Sequence, residues 1–502
     1  MLSQILPRAA ARFGSKVALV TDTRTLSYAE LDAFSDHVAG ALAARGIAPG
    51  DRVSLYAQNR WEWIVAYHGI LKAGAVVNPI NVMLTAREVR YVLGDCGTRA
   101  IFCGPDKAPA VLDAVHDVPG VEHVVSFGDA AGGAIEFATL LADSTARPNV
   151  PTAAPTALST IGYTSGTTGH PKGAMQSHRA VFLNCALTGT MHVRTGRDVV
   201  VTALPAPHVY GNVVINSIFM AGGTVVLMER FDPEGALERI ARQRATLFEG
   251  VPAMYMTMLA HPQLGRFDLS SLTRCTVGGQ TIAEAVMRAW EERAGAPLIE
   301  LWGMTELAGL GTTHALYAPN VHGSIGVGLP GIEVRVAAFD DAAHTMPPGE
   351  PGELMVRGPI VMQGYYGNDR ATQDTIEPDG WLHTGDVAVA DDAGYFRLVD
   401  RRKDMIITAG YNVYPAEIER VLCGHPAVAM SAVGPIADEV KGELARAYVV
   451  LRPGATATET ELIDFCRPYL AAYKLPRSVR FVADLPKTST GKIMRRELRT
   501  LN

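Results

Sequence analysis

The sequence predicts an α/β protein in two parts, a large N-terminal region of several subdomains followed by a small α+β domain. Three observations predict it. Strand-like and helix-like segments alternate along the first 400 residues, as in layered α/β folds. The chain has 502 residues, 48% hydrophobic and 19% charged, which is more than one ordinary core accommodates. A charge cluster at Asp400-Arg401-Arg402-Lys403-Asp404 separates a tail of about 100 residues in which the alternation starts again. The predicted division is therefore 1–400, a junction at 401–404, and 405–502.

Taken in order, Ser27-Tyr28-Ala29-Glu30 has the spacing of a capping box. The apolar positions that follow, Leu31, Phe34, Val38 and Leu42, mark one buried helical face, and the helix should end at Gly46. Arg52 to Tyr56 reads as a strand, and Trp61 to Lys72 as a helix stopped by Gly74. Shorter β-rich elements punctuated by Gly and Pro fill roughly Gly323 to Val399 and suggest a separate subdomain. In the tail, the predicted elements are Met405–Thr408, Pro415–Leu422, Val428–Val433, Arg446–Leu451 and Glu459–Tyr469.

Composition excludes several classes. No run of about eighteen uninterrupted apolar residues occurs, so no transmembrane segment is expected. The opening Met1-Leu2-Ser3-Gln4-Ile5-Leu6-Pro7-Arg8 lacks the charged leader and cleavage site of a secretory signal. A net charge of −6, with no basic run interleaved with aromatics, argues against a nucleic-acid partner. Six cysteines without a C-x-x-C pair read as free thiols of a reducing compartment, hence a cytoplasmic protein.

The chemistry concentrates first in Thr164-Ser165-Gly166-Thr167-Thr168-Gly169-His170-Pro171-Lys172-Gly173. Glycines let backbone N–H groups turn toward an anion, and hydroxyls plus an ammonium add donors suited to phosphate oxygens. It is not a Walker A loop: counted from Gly166, the second glycine's place holds Pro171, and Gly173 follows Lys172 where Ser or Thr is required. Four further clusters follow: Leu301-Trp302-Gly303-Met304-Thr305-Glu306, Trp381-Leu382-His383-Thr384-Gly385-Asp386, the Asp400–Asp404 run, and Lys487-Thr488-Ser489-Thr490-Gly491-Lys492. In this order and spacing the five resemble the motifs of the adenylate-forming superfamily, and within it look most like bacterial medium- and long-chain fatty-acid CoA ligases. The resemblance covers nearly the whole chain.

It implies an AMP-forming acyl-CoA synthetase, with a large adenylation domain and a small mobile C-terminal domain, using ATP, Mg²⁺ and CoA as co-substrate. A carboxylate is a poor electrophile, and transfer of AMP onto it provides a leaving group that a thiol can displace. Positioning and positive charge are what such a step asks of the protein. By resemblance, Thr164, Ser165, Gly166, Thr167, Thr168, Gly169 and Lys172 hold the β- and γ-phosphates. Glu306 carries Mg²⁺, Trp302 stacks on adenine where the family more often has Tyr, and Thr305 touches the α-phosphate. Asp386 and Arg401 fix the ribose, and Lys492 reaches the α-phosphate and the acyl carboxylate. Lys403 is the hinge about which the small domain swings, bringing Gly410 against the adenylate beside a pantetheine tunnel.

For the acid, Pro205 to Asn212 resembles the family's aromatic-gate segment, with His208 at the gate. Val209 stands where amino-acid-activating relatives usually have Asp. Gly303 stands where acetate-specific relatives have Trp, which leaves room for a longer acyl group. The remaining pocket candidates, Val251, Gly278, Gly279, Gln280, Leu307, Ala308 and Gly309, are mostly small or apolar. Gln280 and Tyr210 could hydrogen-bond a phenol. The expected substrate is a medium-to-long-chain fatty acid; the alternatives are an aryl or cinnamate-type acid, or delivery of the acyl group to a carrier protein. A homodimer is left open.

Overall fold

The protein is described here by a computed structural model that covers residues 1–129, 132–142, 153–164, 171–409, 411–438, 441–487 and 493–501, without the side chains of 496, 499 and 500. The chain forms two compact units. The first comprises 1–322, 326–333 and 356–382; the second comprises 323–325, 334–355 and 383–502. Compactness thus groups 383–404 with the tail, where the sequence reading placed the junction at 401–404. The β-rich stretch near 323–399 does not form a contiguous subdomain, because its strands are shared between the units.

The first unit contains two sheets. One has seven strands, ordered Ile135–Glu136, His123–Ser126, Thr98–Cys103, Arg52–Tyr56, Val76–Pro79, β1 (Leu158–Thr164) and β2 (Lys172–Ser177). It is parallel except at its end, where β1 and β2 form an antiparallel pair with Thr164 opposite Lys172. Helix α1 (His178–Met191) follows directly, its first turn capped by the Ser177 side chain.

The other sheet has nine strands. Its middle is a parallel run of β3 (Val199–Thr202), β4 (Leu247–Gly250), β5 (Arg274–Val277) and β6 (Leu298–Met304), adjacent in that order. Beyond β6 the direction reverses into β7 (Gly309–Thr313). Phe248, Tyr255, Met287 and Trp290 fill the core beneath these strands.

The early elements form as read. Ser27 and Glu30 make the reciprocal capping box of the helix Tyr28–Ala44, Arg52–Tyr56 is a strand, and Trp61–Lys72 is a helix whose every residue is buried. Burial of Lys72 is matched by ion pairs to Asp32 at 2.6 Å and Asp36 at 2.9 Å.

The second unit holds a four-stranded sheet ordered Glu333–Ala337, Gly352–Arg357, β8 (Leu382–Ala390) and β9 (Phe396–Arg401). It also holds a five-stranded sheet built on the long antiparallel pair Val428–Asp438 and Gly442–Leu451. This pair extends well past the predicted Val428–Val433 and Arg446–Leu451. Helix Glu459–Cys466 stops short of the predicted Tyr469, because Pro468 cannot continue it.

Candidate active site

The four adjacent parallel strands place the predicted site segments together. In open α/β sheets ligands bind outside the carboxyl ends of parallel strands, where the backbone leaves the sheet. The chain leaves β3 into the segment carrying His208, β4 into Val251, β5 into Gly278-Gly279-Gln280, and β6 into Thr305-Glu306. Segments about a hundred residues apart in sequence are thus brought to one edge by strand order.

The β1–β2 pair joins that edge through close backbone approach. Residues 165–170 lie outside the described residues, but both ends of their connection are fixed by the β1–β2 pair. A Cβ at Gly162 in β1 would stand 2.7 Å from the Thr305 methyl, so only glycine lets Thr305 pack here. From β2, the Gln176 amide donates to the Thr305 carbonyl at 2.8 Å. Glu306 is 6% exposed, its carbonyl accepts from the Met362 N–H at 2.8 Å, and its Oε1 accepts from the Tyr365 hydroxyl at 2.8 Å. Lys172 stands with its ammonium 4.6 Å from the centre of the Tyr365 ring.

Glu306 fits the expected role toward Mg²⁺. It is a hard oxygen donor at the sheet edge beside the phosphate hairpin, and a cation accompanying a triphosphate takes few protein ligands. No group of three or more His, Cys, Asp or Glu that could hold an ion by itself occurs among the described residues.

Two expectations about the acyl side are revised. A Cβ at Gly303 would stand 2.1 Å from the Gly309 carbonyl oxygen and 2.7 Å from Leu310 Cα. Position 303 is therefore glycine because β6 and β7 approach across an irregular register, and a tryptophan here would disrupt that pair before it shortened any pocket. The Tyr210 side chain points inward: its hydroxyl meets Thr276 Oγ1 at 2.6 Å, and Thr276 in turn donates to Glu249, which is ion-paired with buried Arg194 at 2.7 Å. That hydroxyl is committed to the core and is no partner for a phenol.

Further candidates lie on or after β3 and β6. His208 is exposed at the N-cap of α2 (Val209–Ala221), its Nδ1 accepting from the Tyr210 N–H at 3.2 Å. Trp302 is buried against Gly311 of β7. The turn after Glu306 places Ala308 at φ +55° and Gly309 at φ +151°. Asn184 of α1 holds this turn, donating to the Leu307 and Leu310 carbonyls at 3.0 and 2.8 Å and accepting from the Leu310 N–H at 3.0 Å.

In the second unit Asp386 and Arg401 face each other across β8 and β9, with Arg401 Nε 3.0 Å from Asp386 Oδ1. Glu353 braces the segment before Asp386. It accepts from the Gly385 N–H at 3.1 Å, contacts His383 Nδ1 at 3.1 Å, and pairs with Arg402 at 2.7 Å. Burial alone would raise the Glu353 pKa, but the His383 contact, the Gly385 N–H and Arg402 hold it below the usual carboxylate value. Lys403 lies in the turn Arg402–Asp404. Gly410 and Lys492 lie outside the described residues.

A family profile described as AMP-binding enzyme matches residues 6–366, and one described as the AMP-binding enzyme C-terminal domain matches 417–492. The chain belongs to the AMP-binding enzymes. Its curated relatives are named CoA ligases, and the chain is an AMP-forming acid–thiol ligase of this family. Among curated relatives of this AMP-binding enzyme is a long-chain-fatty-acid–CoA ligase of Escherichia coli, 34% identical over 99% of this chain and 94% of the relative. A methyl-dioxo-octahydro-indenyl-propanoyl:CoA ligase of Rhodococcus jostii is 36% identical, over 98% and 97%. Among solved structures, the anthranilate CoA ligase AuaEII in complex with anthranoyl-AMP superposes with a TM-score of 0.93 at 29% identity, covering 100% of this chain and 96% of that one.

Four site neighbours escape sequence reasoning: Gln176, Asn184, Glu353 and Tyr365. Each acts on a segment distant in the chain. Only Tyr365 carried a signal, an aromatic pair set between Gly364 and Gly367 in a β-rich stretch.

Proposed function

We propose that this AMP-binding enzyme is an ATP-dependent carboxylic acid:CoA ligase acting on medium-to-long-chain fatty acids. ATP would bind across the phosphate hairpin and the edge following β6, with Lys172 on the phosphates and Glu306 toward the accompanying Mg²⁺. The cation would neutralise phosphate charge when bound. Thr305 and Lys492 would stabilise charge at the α-phosphorus as the carboxylate attacks, and Asp386 with Arg401 would hold the ribose. The acyl adenylate formed would then be attacked by the CoA thiol, after rotation about Lys403 brings the segment at Gly410 into use.

The observation that carries the alkyl reading is the commitment of Tyr210 to Thr276. It removes one of the two side chains expected to bond a phenol and leaves Gln280, beside small or apolar residues at Val251, Gly279 and Ala308. A ring-bearing acid is the second reading, supported by the 36% identity to the Rhodococcus jostii ligase. Neither argument bears on a carrier-protein acceptor, which remains the alternative to CoA.

The test is pyrophosphate release across acetate, octanoate, palmitate and a cinnamate, with and without CoA. Octanoate or palmitate should exceed acetate in kcat/KM by about a hundredfold, since four buried methylenes contribute on the order of 3 kcal/mol. A preference for cinnamate would replace the alkyl reading with the aryl one. Pyrophosphate release without CoA consumption would indicate a different acceptor.

A further inference from the structure

The segment carrying Tyr365 is stitched to both halves of the phosphate-side site. Towards the hairpin, the Met175 N–H donates to the Gly364 carbonyl at 2.9 Å, the Gln363 N–H to the Met175 carbonyl at 2.8 Å, and the Tyr366 N–H to the Gly173 carbonyl at 2.8 Å. Ala174 and Tyr365 form an antiparallel bridge. Towards the edge after β6, the Met362 N–H donates to the Glu306 carbonyl. From the middle of this stitch the Tyr365 side chain, 6% exposed, makes contacts of different chemistry: its hydroxyl donates to the Glu306 carboxylate and also meets the Thr375 side chain, and its ring face receives the Lys172 ammonium.

We propose that Tyr365 is a positioning residue for the metal–triphosphate, its hydroxyl orienting Glu306 and its ring seating Lys172. This rests on the reading of Glu306 and Lys172 given above. A tyrosine serving only to fill space would be replaceable by phenylalanine, but here the hydroxyl bonds the Glu306 carboxylate directly. Partners that hold a metal-binding carboxylate commonly govern metal affinity by about tenfold or more, and an ammonium over an aromatic face contributes a smaller, separable part.

Two variants separate the contacts. Tyr365→Phe keeps the ring and removes the hydroxyl; Tyr365→Leu removes both. Mn²⁺ binding to the enzyme–ATP complex, followed by electron paramagnetic resonance without acid or CoA, reads the metal directly. ATP affinity at saturating Mn²⁺, from calorimetry, reads the phosphate side. Tyr365→Phe should weaken Mn²⁺ about tenfold while ATP affinity at saturating metal stays within about twofold of wild type. Tyr365→Leu should show the same metal defect and an added loss of ATP affinity of about threefold. Unchanged Mn²⁺ binding in Tyr365→Phe overturns the proposal, as does an equal loss in every parameter accompanied by a lower Tm. Because neither assay contains an acid, failure of every carboxylate to support turnover would count against the proposed function and leave this assignment standing.

Discussion

Around Thr305 and Glu306 the first unit positions its side chains by main-chain contact. Gln176, Asn184 and Met362 each bond a carbonyl of the 305–310 turn, and Gly162 and Gly303 allow strands to close on it. Around Asp386 the second unit relies on charge: Arg401 on Asp386, Arg402 on Glu353, and Arg495 on Asp400, Asp404 and Glu419 at 3.0, 3.1 and 2.7 Å. Main-chain contacts have a single geometry and low sensitivity to pH or salt. Ion pairs tolerate displacement and can exchange partners. The comparison predicts that substitutions around the 305–310 turn act through shape and those around Asp386 through charge.

The largest effect should come from Arg495. Asp400 is buried and also accepts from the Arg401 and Ala416 N–H groups at 2.7 Å, so removing its arginine strands a carboxylate in the interior. Arg495→Met should cost about 3–5 kcal/mol of the second unit's stability, read as a shifted denaturation transition. Adding Asp400→Asn should recover part of that loss. If the double variant is no better than the single one, shape matters more than charge there and the contrast fails.

Next is Gly303→Ala, a test of shape. The added methyl meets the backbone of β7, and overpacking of this kind costs about 1–3 kcal/mol. Activity with acetate and with octanoate should fall together, at any salt concentration. A selective loss of octanoate activity would return Gly303 to the acyl pocket.

The smallest effect should be that of Glu353→Gln. Because the folded-state pKa of Glu353 is lowered, its charge contributes stability that is fully present above its ordinary value of 4.5 and is lost as pH falls through the lower folded value. The variant should be less stable than wild type at pH 7 by about 0.5–1.5 kcal/mol, and the difference should shrink on acidification below about pH 4. A difference independent of pH would mean that Glu353 acts through packing alone.

What the sequence reveals divides along similar lines. Local signals read true where one segment determines its own form: the Ser27 capping box, the apolar helix Trp61–Lys72, and Pro415–Cys423 with proline at its start. They fail at the outer part of the Val428–Asp438 and Gly442–Leu451 pair, where Gly434, Pro435 and polar residues give no alternation and cross-strand bonding alone extends the strands. Motif residues were legible because their chemistry is compact in sequence, as in Trp302 to Glu306. Their supports were not, since Tyr365 meets Glu306 and Asn184 meets Leu310 only through tertiary approach. Gly303 shows the converse: a glycine that reads as space for a ligand is space for a neighbouring strand.

The central claim is that the edge formed by β3 to β6 and the phosphate hairpin transfer AMP to a carboxylate. The most direct measurement is to mix the wild-type protein with ATP, Mg²⁺ and octanoate, without CoA, and to identify the products by mass spectrometry. The account predicts octanoyl-AMP and pyrophosphate, with Lys492→Ala reducing their formation by about 10²- to 10³-fold. ADP and phosphate in their place, or adenylate formation undiminished in Lys492→Ala, would contradict it.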